Sequence, residues 1–375
     1  GSIDGARTLA LNASTGVTLG GPIGAGTSLA SLSVTGPLQL DAGSVDTTGA
    51  QSYAGVTTLG AASTLNGASI AFGNTLDGGF ALTTQSAGTT SFAGAVGATT
   101  PLASLTANGG GTVQLSGASI DTTGAQSYSG ALQLTGSARL SGSALTLTGP
   151  VSGATDLTLQ TNALDVGATL AGTGTLTIAP RDPTLSIGVA GGAGSLQVSQ
   201  AVLEGASGFA SHIVGRGDGS GTITAGTLVL RADTTLQTAS GDINVGNVDG
   251  AFALALDSGG TTRITGPVGA TTPLASLTTD NRVGAPDWNG TSGERTTFDT
   301  ADGTGAARVI TSGAQTYNDP VTANVPVSFS GGAIAATQPT NRFDGVVSAT
   351  AISLDLHNST DLTLGSLTLV NCCSR

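Results

Sequence analysis

The sequence contains no lysine and no methionine, and several other residue types are scarce. Its 11 basic residues are all arginine and face 23 acidic residues, so the formal net charge is −12. A chain of this charge repels phosphate backbones, and we expect no nucleic-acid partner. Charged residues make up 9% and aromatic residues 3%, which departs far from an average globular protein.

Other absences exclude further classes of protein. No run of 18 apolar residues occurs, so no membrane insertion of this segment is expected. The two cysteines, Cys372 and Cys373, are adjacent. A disulfide between neighbours strains the peptide between them, and no ring of metal ligands surrounds them, so we expect neither a structural disulfide nor a metal site. We expect no cofactor.

What the chain does contain is repetition, with 60 glycines among its 375 residues. Internal repeats lie near 3–75, 76–150 and 248–325, and each begins with a block that ends in the letters LASL. A second block reads GAQSY twice and GAQTY once, and its three tyrosines are Tyr53, Tyr128 and Tyr317. A fixed period of this kind is the signature of stacked units that cannot bury their apolar faces alone.

Between the glycines run short stretches in which apolar residues alternate with threonine or glutamine, as in Leu145-Thr146-Leu147. This is the period of a strand with one buried face. We therefore predict an all-β fold, a right-handed parallel β-helix (solenoid) of roughly 18–20 coils, with about four coils in each long repeat. The equivalent tyrosines are expected at matching places in the coils, with their rings packed between coils.

The whole chain, 1–375, is interpreted as a single β-solenoid with three irregular places, the third of which is its end at Asn371–Arg375, where no cap is evident. A variant module covers 172–226 and contains a short helical excursion near 199–205, for which Ser199 is the expected N-cap. The chain begins and ends within the repeat pattern, which we interpret as a piece of something longer.

The second irregular place is an insertion loop at 281–305, where the third repeat holds about 17 more residues than its counterparts. Insertions in repeat proteins emerge as loops and often bind partners. We expect this one to project as a polar loop that the fold does not need. Its candidate binding residues are Trp288, Asp287, Glu294 and Arg295.

Outside the insertion loop, few residues are candidates for binding or catalysis. Arg216-Gly217-Asp218 spells the integrin-recognition tripeptide, although a glycine-rich turn explains it equally. Asp46 and Asp121 align between two repeats.

The third copy has Ile310 at the aligned position, which favours a surface role over catalysis. His212 and His357 have no evident nucleophile partner. Neither a calcium-binding nonapeptide array nor a ranked Thr-x-Thr array recurs once per coil, so the sequence predicts no enzyme and no metal site.

The segment 172–226, together with the GAQSY and VGATTPLASLT blocks, resembles the repeats of filamentous haemagglutinin-like exoproteins and autotransporter adhesins of Gram-negative bacteria. The resemblance implies a parallel β-helix, two-partner or autotransporter secretion, and an extracellular or outer-membrane-tethered cell-surface location. It implies a structural shaft that gives reach and contacts glycans or proteins on host or neighbouring cells.

Two alternatives stay open at this point. One is a carbohydrate-active or carbohydrate-binding β-helix protein, which a cleft with two nearby carboxylates would favour. The other is the subunit of an extracellular filament, in which solenoid ends associate by pairing their strand edges.

Overall fold

A computed structural model describes residues 1–116, 119–280, 294–299 and 307–370. The described strand pairings are parallel, and the strands form about 17 stacked turns of a β-solenoid with one short helix. The predicted all-β solenoid is therefore confirmed, and its number of turns is close to the predicted one.

The chain divides into two compact units. Unit 1 consists of Gly1–Thr177 and Gly205–Phe209, and unit 2 consists of Ile178–Glu204 and Ala210–Arg375. Each unit is described by itself below. A single continuous solenoid over 1–375 stays a prediction.

The first 22 strands are β1 (Thr8–Leu11), β2 (Val17–Leu19), β3 (Ser31–Val34), β4 (Leu38–Leu40), β5 (Ser44–Asp46), β6 (Ala50–Tyr53), β7 (Thr57–Leu59), β8 (Ser63–Gly67), β9 (Ser69–Phe72), β10 (Leu76–Asp77), β11 (Ala81–Ser86), β12 (Thr89–Phe92), β13 (Ser104–Asn108), β14 (Thr112–Leu115), β15 (Ser119–Asp121), β16 (Ala125–Tyr128), β17 (Leu132–Leu134), β18 (Ala138–Leu147), β19 (Val151–Ala154), β20 (Leu157–Val166), β21 (Leu170–Gly172) and β22 (Thr175–Ala179). The remaining elements are β23 (Ile187–Val189), β24 (Leu196–Val198), α1 (Gln200–Gly205), β25 (Ala206–Ser207), β26 (Ser211–Arg216), β27 (Ile223–Val229), β28 (Asp233–Thr238), β29 (Ile243–Asp249), β30 (Ala253–Ser258), β31 (Thr261–Ile264), β32 (Ser276–Thr279), β33 (Arg295–Phe298), β34 (Ala307–Ile310), β35 (Gln315–Tyr317), β36 (Val321–Ala323), β37 (Val327–Ser330), β38 (Ala333–Ala336), β39 (Arg342–Phe343), β40 (Val347–Ala351), β41 (Ser353–Leu356) and β42 (Leu364–Leu369).

Unit 1 has three ladders of paired strands, and a full turn places one strand in each. The first ladder runs β1-β3-β6-β9-β12-β14-β17-β19-β21-β25. The second runs β2-β4-β7-β10 and continues through bridges at Val96 and Ile120 to β15 and then to the first halves of β18 and β20, two long strands whose second halves belong to the third ladder. The third runs β5-β8-β11-β13-β16-β18-β20-β22. Strands β6, β7 and β8 thus make one turn, and β9 returns to the first ladder.

Unit 2 is built in the same way. One ladder runs β26-β28-β30-β32-β35-β38-β41, a second runs β24-β23-β27-β29-β31-β33-β36-β39, and a third runs β34-β37-β40-β42. Most paired residues in the two units are about 18 to 23 positions apart, as in Leu32 with Gln51 and Thr8 with Ser31. In unit 2 the separation is 9 positions between Ile187 and Leu196, 34 between Thr261 and Arg295, and 38 between Leu277 and Gln315.

Alternation of side chains along each strand places one apolar column inside each face. In the first ladder of unit 1 this column is fully buried and consists of Val34, Tyr53, Phe72, Phe92, Leu115 and Leu134. The rings of Tyr53, Phe72 and Phe92 stack with centroids 5.1 and 5.3 Å apart. The few aromatic residues therefore lie mainly inside, where their burial stabilises the stack.

The GAQ(S/T)Y block closes a corner with a buried polar network. The Tyr128 hydroxyl donates to Gln126 Oε1 over 2.9 Å, and Gln126 Nε2 donates to the carbonyls of Ile120 and Ser141 over 3.0 and 2.8 Å. Thr122 Oγ1 donates to the Gly124 carbonyl over 2.8 Å. Burial raises the pKa of the Tyr128 phenol. The corner thus satisfies polar groups that would otherwise be buried without partners.

The other two copies of the block have the same local network. Tyr53 donates to Gln51 and Tyr317 donates to Gln315, and both rings are fully buried. The predicted packing of the three tyrosine rings inside the coils is confirmed.

The prediction that the tyrosines occupy matching places in the coils is wrong for Tyr53 and Tyr128. Tyr53 is on β6 of the first ladder, whereas Tyr128 is on β16 of the third. The long repeat therefore does not span a whole number of turns, and the expectation of four coils per repeat is wrong for these two copies. A strand–corner–strand motif can move between faces because its contacts are mostly within its own turn.

Helix α1 begins where the sequence predicts. Ser199 caps it, since the Val202 backbone N–H lies 3.3 Å from Ser199 Oγ and 3.1 Å from the Ser199 carbonyl. Leu203 is its buried residue. Among the described residues, no helix has the length and apolar character needed to cross a bilayer.

The predicted insertion loop at 281–305 needs a correction. Within it, Arg295–Phe298 form strand β33, which pairs with β31 and β36, and Phe298 is fully buried. The connection from β32 to β33 holds 15 residues (280–294), whereas 109–111 join β13 to β14 in the second repeat. The connection from β33 to β34 is also longer. There are thus two insertions on either side of a core strand, and the fold needs the part between them.

The corner network generates a stability prediction. We expect Gln126→Leu to lower the free energy of unfolding by roughly 2–4 kcal/mol, because the Tyr128 hydroxyl and two carbonyls lose their partner inside the protein. Gln133→Leu, at an exposed position of β17, is the matched control and should change the free energy of unfolding by less than about 0.5 kcal/mol. Urea denaturation followed by circular dichroism measures both. Equal losses would contradict a structural role of the network.

Candidate functional site

The Arg216-Gly217-Asp218 tripeptide lies at the end of β26 in unit 2. The Arg216 guanidinium contacts both carboxylate oxygens of Asp218, with Nε–Oδ1 at 2.5 Å and Nη2–Oδ2 at 2.7 Å. This hydrogen bonding raises the pKa of Arg216 and lowers that of Asp218. Arg216 Nη1 also donates to the carbonyls of Pro180 and Arg181 over 3.1 and 2.9 Å. The arginine thus joins the turn to the segment before β23, and its charge is already paired.

The structure describes two of the four predicted binding residues of the insertion. Asp287 and Trp288 lie outside the described residues. Glu294 is half-buried, and Arg295 is exposed at the first position of β33.

The repeated Asp-Gly pairs have a structural role that the sequence did not show. Asp77 Oδ1 accepts hydrogen bonds from the backbone N–H groups of Thr99 and Thr100, over 2.9 and 3.1 Å, one turn further along. Asp4 and Asp249 make the equivalent bonds. Each aspartate therefore caps the corner of the next turn. Within the described ranges, no group of three His, Cys, Asp or Glu side chains is arranged to hold a metal ion.

The aligned acidic residues are engaged with neighbours on the solenoid surface. Asp46 accepts a hydrogen bond from Asn66 Nδ2 over 2.5 Å, and Asp121 forms an ion pair with Arg139 over 2.9 Å. Ile310 occupies the corresponding half-buried position on β34. His212 is buried within β26, whereas His357 is exposed and lies 3.6 Å from Asp355. The structure brings none of these residues together as a catalytic group.

An open polar depression in unit 1 was not predicted from the sequence. It is open, has a volume of about 360 Å³, and is lined by Ala93, Ala95, Ser119, Ser137, Ala138, Arg139, Asp156 and Thr158. Strands β15, β18 and β20 place Ser119, Arg139 and Thr158 side by side on three successive turns. We call this set the Arg139 depression. It offers hydroxyl groups, one carboxylate and one guanidinium on an alanine floor.

The polar groups of the Arg139 depression hold each other in place. Arg139 binds Asp121 through both terminal nitrogens and lies 3.3 Å from Gln160 Oε1. Asp156 accepts from the Thr175 backbone N–H over 2.8 Å and from the Ser137 hydroxyl over 3.0 Å, and these bonds lower the pKa of Asp156. The carboxylate is therefore ionised at neutral pH and is a hydrogen-bond acceptor.

Paired carboxylate catalysis does not fit this depression. Asp121 of β15 is paired with Ser141 of β18, and Asp156, just before β20, lies beside Ser137. Asp121 and Asp156 are therefore two strands apart and are offset by four residues along the strand direction. Four residues along a strand and two strand spacings put the two α-carbons roughly 16 Å apart. Glycosidase carboxyl pairs are about 5–9.5 Å apart. The depression has the chemistry of a polar contact surface.

Comparison with known proteins found no family model, no curated protein and no solved structure that matches this chain. The adhesin resemblance noted from the residues therefore stays a prediction.

The tripeptide geometry generates a test of its two interpretations. Arg216→Ala should lower the free energy of unfolding by about 1–3 kcal/mol, because two carbonyls lose a charged donor. Asp218→Ala removes only an exposed ion pair and should cost less than about 1 kcal/mol. Urea denaturation measures both, and binding to a soluble integrin ectodomain is measured beside it. Integrin binding that Asp218→Ala abolishes would overturn the structural interpretation.

Proposed function

We propose that this chain is a non-enzymatic structural segment, a shaft, of a large secreted or surface-exposed bacterial adhesin or exoprotein. The observation that carries the proposal is the strand-by-strand parallel pairing of successive turns in three ladders within each unit. Load along the stacking direction is then shared by many backbone hydrogen bonds and by continuous apolar columns.

The outer surface of unit 1 supports a passive role. On the first ladder, one outward row consists of Ser33, Ser52, Ala71, Ser91 and Gln114, which are neighbours in register. These side chains are small or neutral and offer no acid, base or nucleophile with an activating partner. A flat row of this kind suits a spacer better than a catalytic cleft.

The location and partners belong to the same proposal. The resemblance to haemagglutinin-like repeats favours a secreted or outer-membrane-tethered protein that contacts glycans or proteins on host or neighbouring cells. The net charge of −12 favours solubility and disfavours nucleic acid.

The shaft proposal requires an elongated particle in solution. About 17 turns at ~4.8 Å per turn give a length of roughly 80 Å if the units continue one another. Small-angle X-ray scattering should therefore give a largest dimension of at least this size. A largest dimension near half of it would contradict a shaft. A mass that rises with concentration would instead favour the filament alternative, for which the exposed Leu364, Leu367 and Leu369 of β42 offer an apolar strand.

Carbohydrate binding is the second candidate, and the Arg139 depression favours it. Its volume of about 360 Å³ lies within the range of small-ligand sites. Serine and threonine hydroxyls, together with a fixed Arg–Asp pair, can donate to and accept from the hydroxyls of a sugar.

The carbohydrate alternative is tested by glycan-array binding of the intact chain. Arg139→Ala should reduce any glycan binding at least tenfold, because it removes both the guanidinium and the partner that orients Asp121. Arg231→Ala is the matched control, since Arg231 forms an exposed ion pair with Glu204 in unit 2. Absence of binding by the unmodified chain, or equal binding by both variants, would contradict this alternative.

A further inference from the structure

Two of the eight phenylalanines are exposed, and they occupy the same place in two repeats. Phe80 of unit 1 is 42% exposed and Phe252 of unit 2 is 37% exposed. Each ends a run that begins with an Asp-Gly pair, DGGF or DGAF, and the first repeat has DGAR with Arg7 at this place. Neither ring contacts another aromatic ring among the residues that the structure describes. The other six phenylalanines are buried, namely Phe72, Phe92, Phe209, Phe298, Phe329 and Phe343.

The backbone holds this residue in the same way in all three repeats. The Phe80 N–H donates to the Gly78 carbonyl over 2.8 Å, and the Ala103 N–H of the next turn donates to the Phe80 carbonyl over 3.0 Å. Phe252 and Arg7 make the equivalent pairs of bonds over 2.7 to 3.0 Å. The side chain is therefore presented from a fixed backbone, which reduces the entropy that a ligand would lose on binding.

The fold of the corner does not require an aromatic side chain. The first repeat makes the same backbone bonds with an exposed Arg7, and Asp4 caps its corner as Asp77 caps the second. A single exposed phenylalanine is common on protein surfaces. Two of them at one recurring place, in a chain that buries all its other phenylalanines, favour contact with a ligand.

Hydroxyl groups lie at the same corners. Gly78, two residues before Phe80, donates from its N–H to the Thr100 carbonyl over 3.2 Å, so the Thr99-Thr100 pair of the next turn lies against this corner. Both threonines are exposed, and within the described residues their hydroxyls make no hydrogen bond. The corner in unit 2 has the same bond over 3.2 Å and the same exposed threonine pair at 271–272.

The size of these surfaces favours a sugar over a protein partner. One phenylalanine buries at most about 250 Å², whereas a stable protein interface buries roughly 800 Å² on each partner. The exposed neighbours of Phe80, which are Gly79 and the two threonines, do not extend the apolar area. A pyranose ring matches one phenyl ring in size, because its C–H face can stack on the ring while its hydroxyls bond to the threonine hydroxyls.

The charge of the corners selects among sugars. Asp77 and Asp249 each precede the phenylalanine by three residues, and the chain carries a net charge of −12. The carboxylates hold the threonine pairs in place, since each accepts from two of their backbone N–H groups. An anionic sugar would be repelled by these carboxylates, so an uncharged one fits better.

We propose that the Phe80 and Phe252 corners are two equivalent binding sites for uncharged sugar rings, one in each unit. The inference rests on the proposed role of the chain in surface contact with glycans. It assigns that contact to the phenyl rings, with the threonine hydroxyls as hydrogen-bonding partners and the aspartates as positioning residues.

Fluorine NMR of the intact chain, labelled with fluorophenylalanine, tests the proposal. The probes are lactose, cellobiose and chitobiose, which are uncharged and expose different apolar faces. We expect at least one of them to shift the signals of Phe80 and Phe252 and to leave the six buried phenylalanines unmoved. If none of the three sugars shifts either signal, the proposal is wrong.

Phe80→Arg and Phe252→Arg assign the two signals and test the rings. They place at each corner the residue that the first repeat carries, so the fold should be preserved. The double variant should bind the shifting sugar roughly tenfold more weakly, because both stacking surfaces are removed. Val56→Arg is the matched control, since Val56 is an apolar residue of unit 1 with the same 42% exposure as Phe80, and it should bind normally.

A second pair of variants keeps the test decisive if the arginine variants fold poorly. Phe80→Leu and Phe252→Leu keep an apolar side chain but remove the ring, and together they should lose binding to a similar extent. Binding that survives in both double variants would overturn the proposal. Binding that only Arg139→Ala abolishes would assign the sugar to the Arg139 depression instead. An elongated particle that binds none of the three sugars would overturn this inference and leave the shaft proposal standing.

Discussion

The parallel, in-register pairing of successive turns is the constraint on which the rest of this structure depends. Each strand must meet its neighbour about one turn later with its hydrogen-bonding groups opposite each other. That requirement leaves little freedom inside the ladders, where residues are selected for stacking, as in the Tyr53–Phe72–Phe92 column. Variation in length and polarity is therefore confined to the corners, where the chain leaves one ladder for the next.

Corners are also where polar groups must be buried, and the chain solves this in two ways. The Gln126 amide satisfies carbonyls of its own turn and the next one. Where corners of successive turns touch, glycine removes the side chain altogether, as at Gly130. The third copy departs from both solutions, since Asp319 stands there at the place of Gly130 and its carboxylate accepts hydrogen bonds from the hydroxyls of Thr279 and Thr296.

Much of the fold follows from local patterns in the sequence. Apolar alternation predicted the strands, and Ser199 predicted the start of α1, because both depend on residues close together in the chain. The corner role of Gln51 and its two counterparts was missed, although the recurrence of glutamine two places before each tyrosine was a usable signal. The Arg139 depression could not be found in this way. Its residues on neighbouring strands lie about 20 positions apart, and only the register of the turns brings them together.

The error in the predicted insertion at 281–305 shows how the pairing of successive turns can correct a sequence alignment. Counting extra residues gave one loop at 281–305. In the second ladder of unit 2, however, β31 and β36 both need a partner strand in the turn between them. A strand must therefore lie between them, and Arg295–Phe298, with phenylalanine where the second repeat has Leu115, has the alternation to fill it. Any extra chain can leave the ladders only before or after such a strand. The same reasoning restricts insertions to the corners, since a residue inserted within a ladder would shift its register and turn every following side chain to the wrong face.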